Sequence, residues 1–360
     1  MNQPVTFQVN GTFMRPPLFV DVPLTEYITV EASATDRDRG MEQRMTGGSA
    51  APQRALVMGA SGFVGSHVTR LLADRGDDVR VLLRKSSSTK GIDDLDVARH
   101  YGDLTDLDAV RAAMSDRDVV YYCVVDARAW LRDPTPLFAT NVEALRGVLD
   151  VACEADLTRF VFTSTIGTIA VGGASARDAV TEDLVLRYAR ERGLPAVAMC
   201  VSNTYGPGDW QPTPHGGMVK AAALGRMPAF VRGAAAEVVG IEDAAEAMLL
   251  AADRGRVGER YIISESYLPM RTLFEIAADE AGVKPPRLGL PMALVYAAGL
   301  AGSVAGAVLR RDSPLTLTSA RLLHLTSPLD HGKATRELGW NPSPTTDAVR
   351  RAVRFYRRTP

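Results

Sequence analysis

ALVMGASGFVGS, residues 55–66, is the stretch that decides the fold. Ala55 to Met58 form a short apolar run that suits a buried strand, and from Phe63 to Arg75 the apolar residues recur at helical spacing. A second apolar run, Val79–Leu83, follows. Gly59, Gly62 and Gly65 stand directly between strand and helix, and each answers a different demand. Gly59 lets the chain turn tightly, Gly62 lets the backbone approach a phosphate with no Cβ in the way, and Gly65 lets helix and strand pack closely. Backbone N–H groups and the positive end of the helix dipole then face an anion. A lone glycine triplet is a weak signal and a merely structural turn is its bland alternative. Strand, turn, helix and second strand at this spacing make a pyrophosphate grip the stronger reading, with Gly59, Ser61, Gly62, Phe63, Val64 and Gly65 as its candidate residues.

The end of the second strand chooses between the two nicotinamide dinucleotides. A carboxylate there would bond the ribose 2′-hydroxyl and repel a 2′-phosphate. Leu83 fills the place instead, followed by Arg84, Lys85 and three serines, Ser86 to Ser88. This cationic, hydroxyl-rich turn suits a phosphate, so NADP is expected rather than NAD. An ordinary solvated basic turn is the alternative.

Outward from this unit, apolar runs at Val97–Tyr101, Val119–Val124, Phe160–Thr163 and Ala196–Val201 continue the strands, with helical patterns at about 107–114, 138–154 and 180–192. Such alternation predicts an α/β fold, a Rossmann-type doubly wound parallel sheet covered on both faces. Beyond Gly206 the order loosens into helices and short strands broken by Pro and Gly, which predicts a smaller C-terminal α/β substrate lobe. The expected division is therefore an N-terminal extension and linker over 1–52, a dinucleotide-binding domain over 53–205, and a mainly substrate-binding lobe over 206–360. Within the extension, Val5, Phe7 and Val9 alternate up to Asn10-Gly11, a hairpin signal, and residues 34–52 read as a flexible linker. Met41 and Met45 leave open the alternative that translation starts there.

Acidic and basic side chains nearly cancel, with a net charge of −1, so neither nucleic acid nor an anionic surface is the expected partner; a small molecule is. Cys123, Cys153 and Cys200 are scattered through apolar runs, and the five histidines show no metal-ligand spacing. No disulfide framework or metal site is expected, and with no signal peptide in view the cytoplasm is the expected location. Met292 to Leu309 runs 18 residues without a charge and is followed by Arg310-Arg311. Its Ala and Gly content favours a buried helix, with membrane association as the lesser alternative.

Several further matches give the chain a family likeness: GDLTD at 102–106, Asn141-Val142, VFTSTIGT at 161–168, SNTYGPGD at 202–209, GIEDAAEA at 240–247 and KATRELGWNP at 333–342. Over roughly 55–358 the chain resembles the extended short-chain dehydrogenase/reductases, the epimerase and dehydratase group. GDWQPTPHGG (208–217) and GRMPAF (225–230) are most similar to its dihydroflavonol reductase and hopanoid-associated epimerase branch. The resemblance implies that Asp103 and Leu104 flank the adenine, that Val124 and Val125 line the ribose and nicotinamide side, and that Asn141 steadies the sheet. It places Thr165 where a Ser or Thr bonds the substrate oxygen, a structural strand Thr being the alternative. It also leaves a homodimer open, the family being commonly dimeric.

The implied chemistry moves hydride at a hydroxyl or ketone, which requires a group for the hydroxyl proton, in this family a Tyr with a Lys four residues on. None of the five lysines, Lys85, Lys90, Lys220, Lys284 and Lys333, follows a Tyr by four. Alignment on Thr181-Glu182 puts Ala174 and Asp178 at those places, in a segment shorter than the family's. Tyr188 with Arg192 has the spacing but lies late in its helix and reads as packing; Tyr121 and Tyr122 close the fourth strand without an evident cation. Trp210, His215 and Met218 follow the sixth strand and are pocket candidates or lobe packing. The expectation is an NAD(P)-dependent oxidoreductase or epimerase-type enzyme acting on a hydroxyl or ketone of a small, fairly apolar substrate. The alternative is a catalytically inactive or atypical NADP-binding protein, or a deletion variant of an active enzyme.

Overall fold

Strand β1 (Arg54–Met58) shows why the sheet must be covered twice: Ala55 and Val57 join one apolar cluster while Leu56 and Met58 join another on the opposite face. In the computed structural model, which describes residues 52–126, 133, 135–167, 176–309, 316–317, 320 and 328–358, seven strands form one sheet. The expected appendage and linker over 1–52 lie outside the described residues except for Pro52. Helix α1 (Phe63–Arg75) links β1 to β2 (Asp78–Leu83); β3 (Ala98–Tyr101), α2 (Leu107–Met114) and β4 (Val119–Tyr122) follow. Next come a short helix α3 (Thr135–Phe138), a π-helical turn (Ala139–Ala144), α4 (Leu145–Glu154), β5 (Arg159–Thr165), α5 (Ala176–Arg192) and β6 (Ala196–Val201).

Every pairing in this sheet is parallel. The order 3-2-1-4-5-6 is the doubly wound dinucleotide-binding arrangement, extended at the β6 edge by β10 (Arg260–Ile263). One face is packed by α1 and α7 (Ile241–Arg254), the other by α2, α4 and α5. The strands expected from sequence are present with ends displaced by one or two residues. The helix expected over 138–154 is instead interrupted by the π turn.

The smaller part of the structure interleaves β7 (Asn203–Tyr205), α6 (Pro214–Ala223), β8 (Ala229–Val231), β9 (Ala235–Gly240), β11 (Ser266–Pro269), α8 (Met270–Ala281) and β12 (Leu288–Leu290). Strand β9 lies between β7 and β11, and β8 pairs with β12. Helices α6 and α8 pack with α11 (Thr345–Arg358) over a core that includes Phe274, Val349 and Tyr356. Between them in sequence are α9 (Met292–Leu309) and α10 (Gly332–Leu338), and Trp340 just past α10 is fully buried against α7.

Helix α9 departs from expectation. Val295 is buried and Gly299 packs tightly, its absent Cβ lying 2.8 Å from the Thr316 carbonyl oxygen, yet Leu294, Leu300 and Val304 are each more than half exposed. A charge-free composition does not by itself say that every face is covered. Among the described residues no helix is long and apolar enough to cross a membrane. Cys200 is buried and donates to Glu182 Oε2 at 3.2 Å, Cys123 and Cys153 are half-buried, and none of the three is in a disulfide among the described residues.

Candidate cofactor and substrate site

The carboxyl edge of the sheet carries the cofactor candidates and Thr165. Arg84 and Lys85 leave β2, Asp103 and Leu104 lie just beyond β3, the glycine turn leaves β1, Val124 and Val125 follow β4, and Thr165 ends β5. The neighbours β1 and β4 continue to opposite sides of the sheet, so their ends open the crevice in which open α/β sheets hold ligands. Gly59 sits at this crevice with φ +85°, and a Cβ on it would lie 2.7 Å from the Cys123 carbonyl oxygen. A side chain at Gly65 would overlap the Gly59 carbonyl, its Cβ being 2.7 Å from that carbon. Gly62 is different: it is exposed, and the nearest atom to its absent Cβ is the Gly59 oxygen at 3.3 Å. It opens the turn toward solvent.

Gly62 is also the N-cap of α1, which has no side-chain capping bond and no acidic residue in its first turn. That leaves the positive end of the helix to an outside anion, with Ser61 exposed beside it and Phe63 and Val64 half-buried. At the β2 end Leu83 is buried while Arg84, Lys85 and Ser86 are exposed, and Ser87 N–H closes a turn on the Arg84 carbonyl at 2.9 Å. Asp103 accepts from the Thr105 N–H (3.0 Å) and hydroxyl (2.8 Å). These two bonds hold its carboxyl below the usual range, with a smaller pull from Arg84.

On the other side, Val124 is half-buried and Val125 is exposed. Asn141, in the π turn, clamps the following residue from both sides: its Oδ1 accepts from the Asp126 N–H at 2.8 Å and its Nδ2 donates to the Asp126 carbonyl at 3.0 Å. The segment after β4 is thereby fixed to the helix that follows it. Thr165 pairs in register with Val201 of β6, and its Oγ1 accepts from the Gly167 N–H at 3.2 Å.

The tyrosines do not supply the missing base. Tyr121 and Tyr122 point to opposite faces of the sheet and are buried, and desolvation pushes both phenols up. Tyr188 donates to Asp150 Oδ1 at 2.9 Å beneath the Arg192 guanidinium, which also pairs with Asp150. Burial, then the Asp150 carboxylate, raises its pKa, which is the wrong direction for a proton acceptor. Tyr188→Phe should therefore cost about 0.5–1.5 kcal/mol of stability in a thermal melt and leave cofactor affinity and turnover as in the wild type. Ala174 lies outside the described residues, and of Asp178 only the backbone is described.

Beyond β6, Asp209 is buried and accepts from Tyr356 Oη (2.7 Å) and Thr213 N–H (3.0 Å), while Thr213 caps α6. This anchors the loop bearing Trp210, whose ring meets Phe355 edge-on at 4.9 Å with Lys90 Nζ 5.9 Å above it. Met218 packs on the lobe core, and the buried His215 Nδ1 has no partner among the described residues; burial lowers the His215 pKa to about 4. Sequence reasoning passed over Glu182 as a contact: it is 1% exposed, accepts from Ser164 Oγ at 2.6 Å and pairs with Arg260 at 2.8 Å. It ties β5, α5 and β10 together behind Thr165. A glutamate in a helical run carries no sequence mark of such burial.

Residues 55–264 match the model of the NAD dependent epimerase/dehydratase family. The chain is 30% identical to sterol demethylase protein B of Methylococcus capsulatus, covering 84% of this chain and 98% of that protein. It is 26% identical to 4-hydroxy-2-methyl-3-oxo-4-farnesyl-3,4-dihydroquinoline-1-oxide ketoreductase of Stigmatella aurantiaca, over 83% of this chain and 96% of the relative. Among solved structures, gox2253 superposes with a TM-score of 0.75 at 31% identity, covering 85% of this chain and 98% of its own. The UDP-glucose 4-epimerase of Thermus thermophilus, solved with NAD, shares the fold with a TM-score of 0.67 at 22% identity, over 85% of this chain and all of its own. The chain belongs to the NAD dependent epimerase/dehydratase family of enzymes.

Proposed function

We propose that the protein is an NADP(H)-linked oxidoreductase acting on a hydroxyl or ketone of a small, fairly apolar substrate. The observation that carries this reading is a glycine turn closed so tightly that a Cβ at Gly59 or Gly65 would strike backbone, with the uncapped start of α1 beside it, next to a β2 end with Arg84 where a carboxylate would select NAD. The residues present fit the cofactor. The turn Gly59–Gly65, with Ser61, Phe63 and Val64, would hold the pyrophosphate by backbone N–H groups. Arg84 and Lys85 would take the 2′-phosphate; Asp103 and Leu104 would flank the adenine; Val124 and Val125 would line the nicotinamide side. When bound, the cofactor supplies or accepts the hydride. Thr165 is the catalytic candidate, its hydroxyl donating to the substrate oxygen as charge builds there. Residues 206–360 act mainly as the substrate lobe, with Trp210 at its boundary. A farnesylated ketone named for one full-length relative accords with an apolar substrate.

A second reading has one specific observation in its favour: no Lys follows a Tyr by four anywhere in the chain. On that reading the protein holds the dinucleotide without turning it over. Purified protein mixed with NADPH and a panel of ketones, and with NADP and the matching alcohols, separates the two. Substrate-dependent change in NADPH absorbance supports the first; tight NADPH binding with no turnover on any compound rejects it in favour of the second. Arg84→Glu should weaken NADPH by about 10- to 100-fold, the worth of a charge-assisted bond to phosphate, and leave NADH affinity within about twofold. Equal loss of both cofactors would remove Arg84 from the phosphate site.

A further inference from the structure

Helix α9 has two faces of opposite fate. Its inner face is fastened to the protein: Val295 is buried, Gly299 lies so close to the Thr316 carbonyl that a Cβ would stand 2.8 Å from its oxygen, and Ser303 Oγ accepts from the Leu317 N–H at 3.0 Å. Its outer face is uncovered. Between residues 293 and 305 every exposed position is Ala, Leu or Val, and at about 100° per residue they fall on one arc of roughly 160°. Leu294 and Leu300 are 55% exposed and Val304 56%. A helix held on one side ordinarily turns charged and polar side chains to water on the other. Here no side chain on the outer arc carries a polar atom.

The charges around this helix show what the bare face suits. The whole chain balances 41 Lys and Arg against 42 Asp and Glu, yet residues 281–311 contain Lys284, Arg287, Arg310 and Arg311 and no carboxylate. Lys284 and Arg287 are exposed, and so is Leu288, which opens the short strand β12 before the helix. An apolar face with cations and no anions around it is complementary to a surface that is oily within and negative at its rim. A second copy of the chain would gain nothing from like charges at both ends of the contact. The outer arc, about 20 Å long and 10 Å wide, also falls well short of the roughly 800 Å² that each partner contributes to a stable protein pair.

We infer that α9 docks the protein on the surface of an anionic lipid bilayer. The helix lies along the interface with Leu294, Leu300 and Val304 among the acyl chains, while Lys284 and Arg287 meet the headgroups. It rests on the bilayer and does not cross it. The face shares no residue with the glycine turn, so docking stands whether or not hydride transfer is the protein's activity.

The test is co-sedimentation with vesicles of phosphatidylcholine alone and of phosphatidylcholine mixed with phosphatidylglycerol. Wild type should pellet with the mixed vesicles and several-fold less with the neutral ones, and salt at about 0.5 M should reduce the difference. Leu294→Glu/Leu300→Glu/Val304→Glu should bind about tenfold more weakly or worse, with its thermal melt within about 2 °C of wild type because the three side chains already face water. Leu294→Gln/Leu300→Gln, which adds no charge, should lose binding in the same direction. Lys284→Gln/Arg287→Gln should lose several-fold on the mixed vesicles and little on the neutral ones. Failure of wild type to pellet with mixed vesicles overturns the inference, as does equal binding by the glutamate variant. A wild type that is dimeric in analytical ultracentrifugation, turns monomeric in the glutamate variant and ignores vesicles assigns the face to a second copy and overturns it too.

Discussion

Gly65→Val should abolish measurable NADPH binding, a loss of more than about a hundredfold or roughly 3 kcal/mol, in a fluorescence titration. The valine Cβ has nowhere to go, since it would press on the Gly59 carbonyl and come within 3.1 Å of the Ala60 Cα, both backbone atoms that cannot swing aside. The turn must open or α1 must slide away from β1, and either displaces the N–H groups offered to the pyrophosphate. Overpacking of this kind costs about 1–3 kcal/mol of stability, which a protein of this size survives, so the loss of binding is measured on folded protein. Gly76→Asn is the matched control. Gly76 has the same φ of +85° at the other end of α1, with open space around it, and Asn tolerates that conformation. Its NADPH affinity should be that of the wild type.

Trp340→Ala should have the largest effect on stability. Trp340 is fully buried in the cluster that joins α1, α7 and α10 to the sheet, and its Nε1 donates to the Asp243 carbonyl at 2.9 Å. Removing it takes away a large apolar contact and leaves that carbonyl without its donor, a cost of about 3–5 kcal/mol. Thermal melts should shift down by roughly 5–15 °C. A shift under about 2 °C would mean that the segment after α10 contributes little to holding α7 on the sheet.

Much of the fold was legible because parallel strands buried on both faces read as unbroken apolar runs. ALVM, VYY and AVAMCV could hardly be anything else once glycines and helical patterns separated them. The candidate site at the carboxyl edge was legible for a related reason: Gly59 takes a positive φ and Gly65 packs on the Gly59 carbonyl within one local turn, and the residue after β2 is found by counting. Other features depend on contacts between distant residues and leave no local mark. The π turn around Asn141 accompanies the double bond of its amide to Asp126, while its sequence reads as ordinary helix. Helix α9 looked buried because it is rich in Ala and Gly, but that composition does not reveal that Leu294, Leu300 and Val304 are exposed. The tyrosines of β4 were candidates by position along the strand, and only their packing shows the phenols desolvated on opposite faces.

The family likeness and the structure meet at one question, which is what the carboxyl edge of the sheet holds. Equilibrium titration of the wild-type protein with NADPH and with NADH, followed by nicotinamide fluorescence in low salt, asks it directly. Saturable binding of both cofactors is expected, with NADPH at least about tenfold tighter. Equal or tighter binding of NADH would contradict the assignment of Arg84 and Lys85, and failure of both to bind would contradict the pyrophosphate cradle itself.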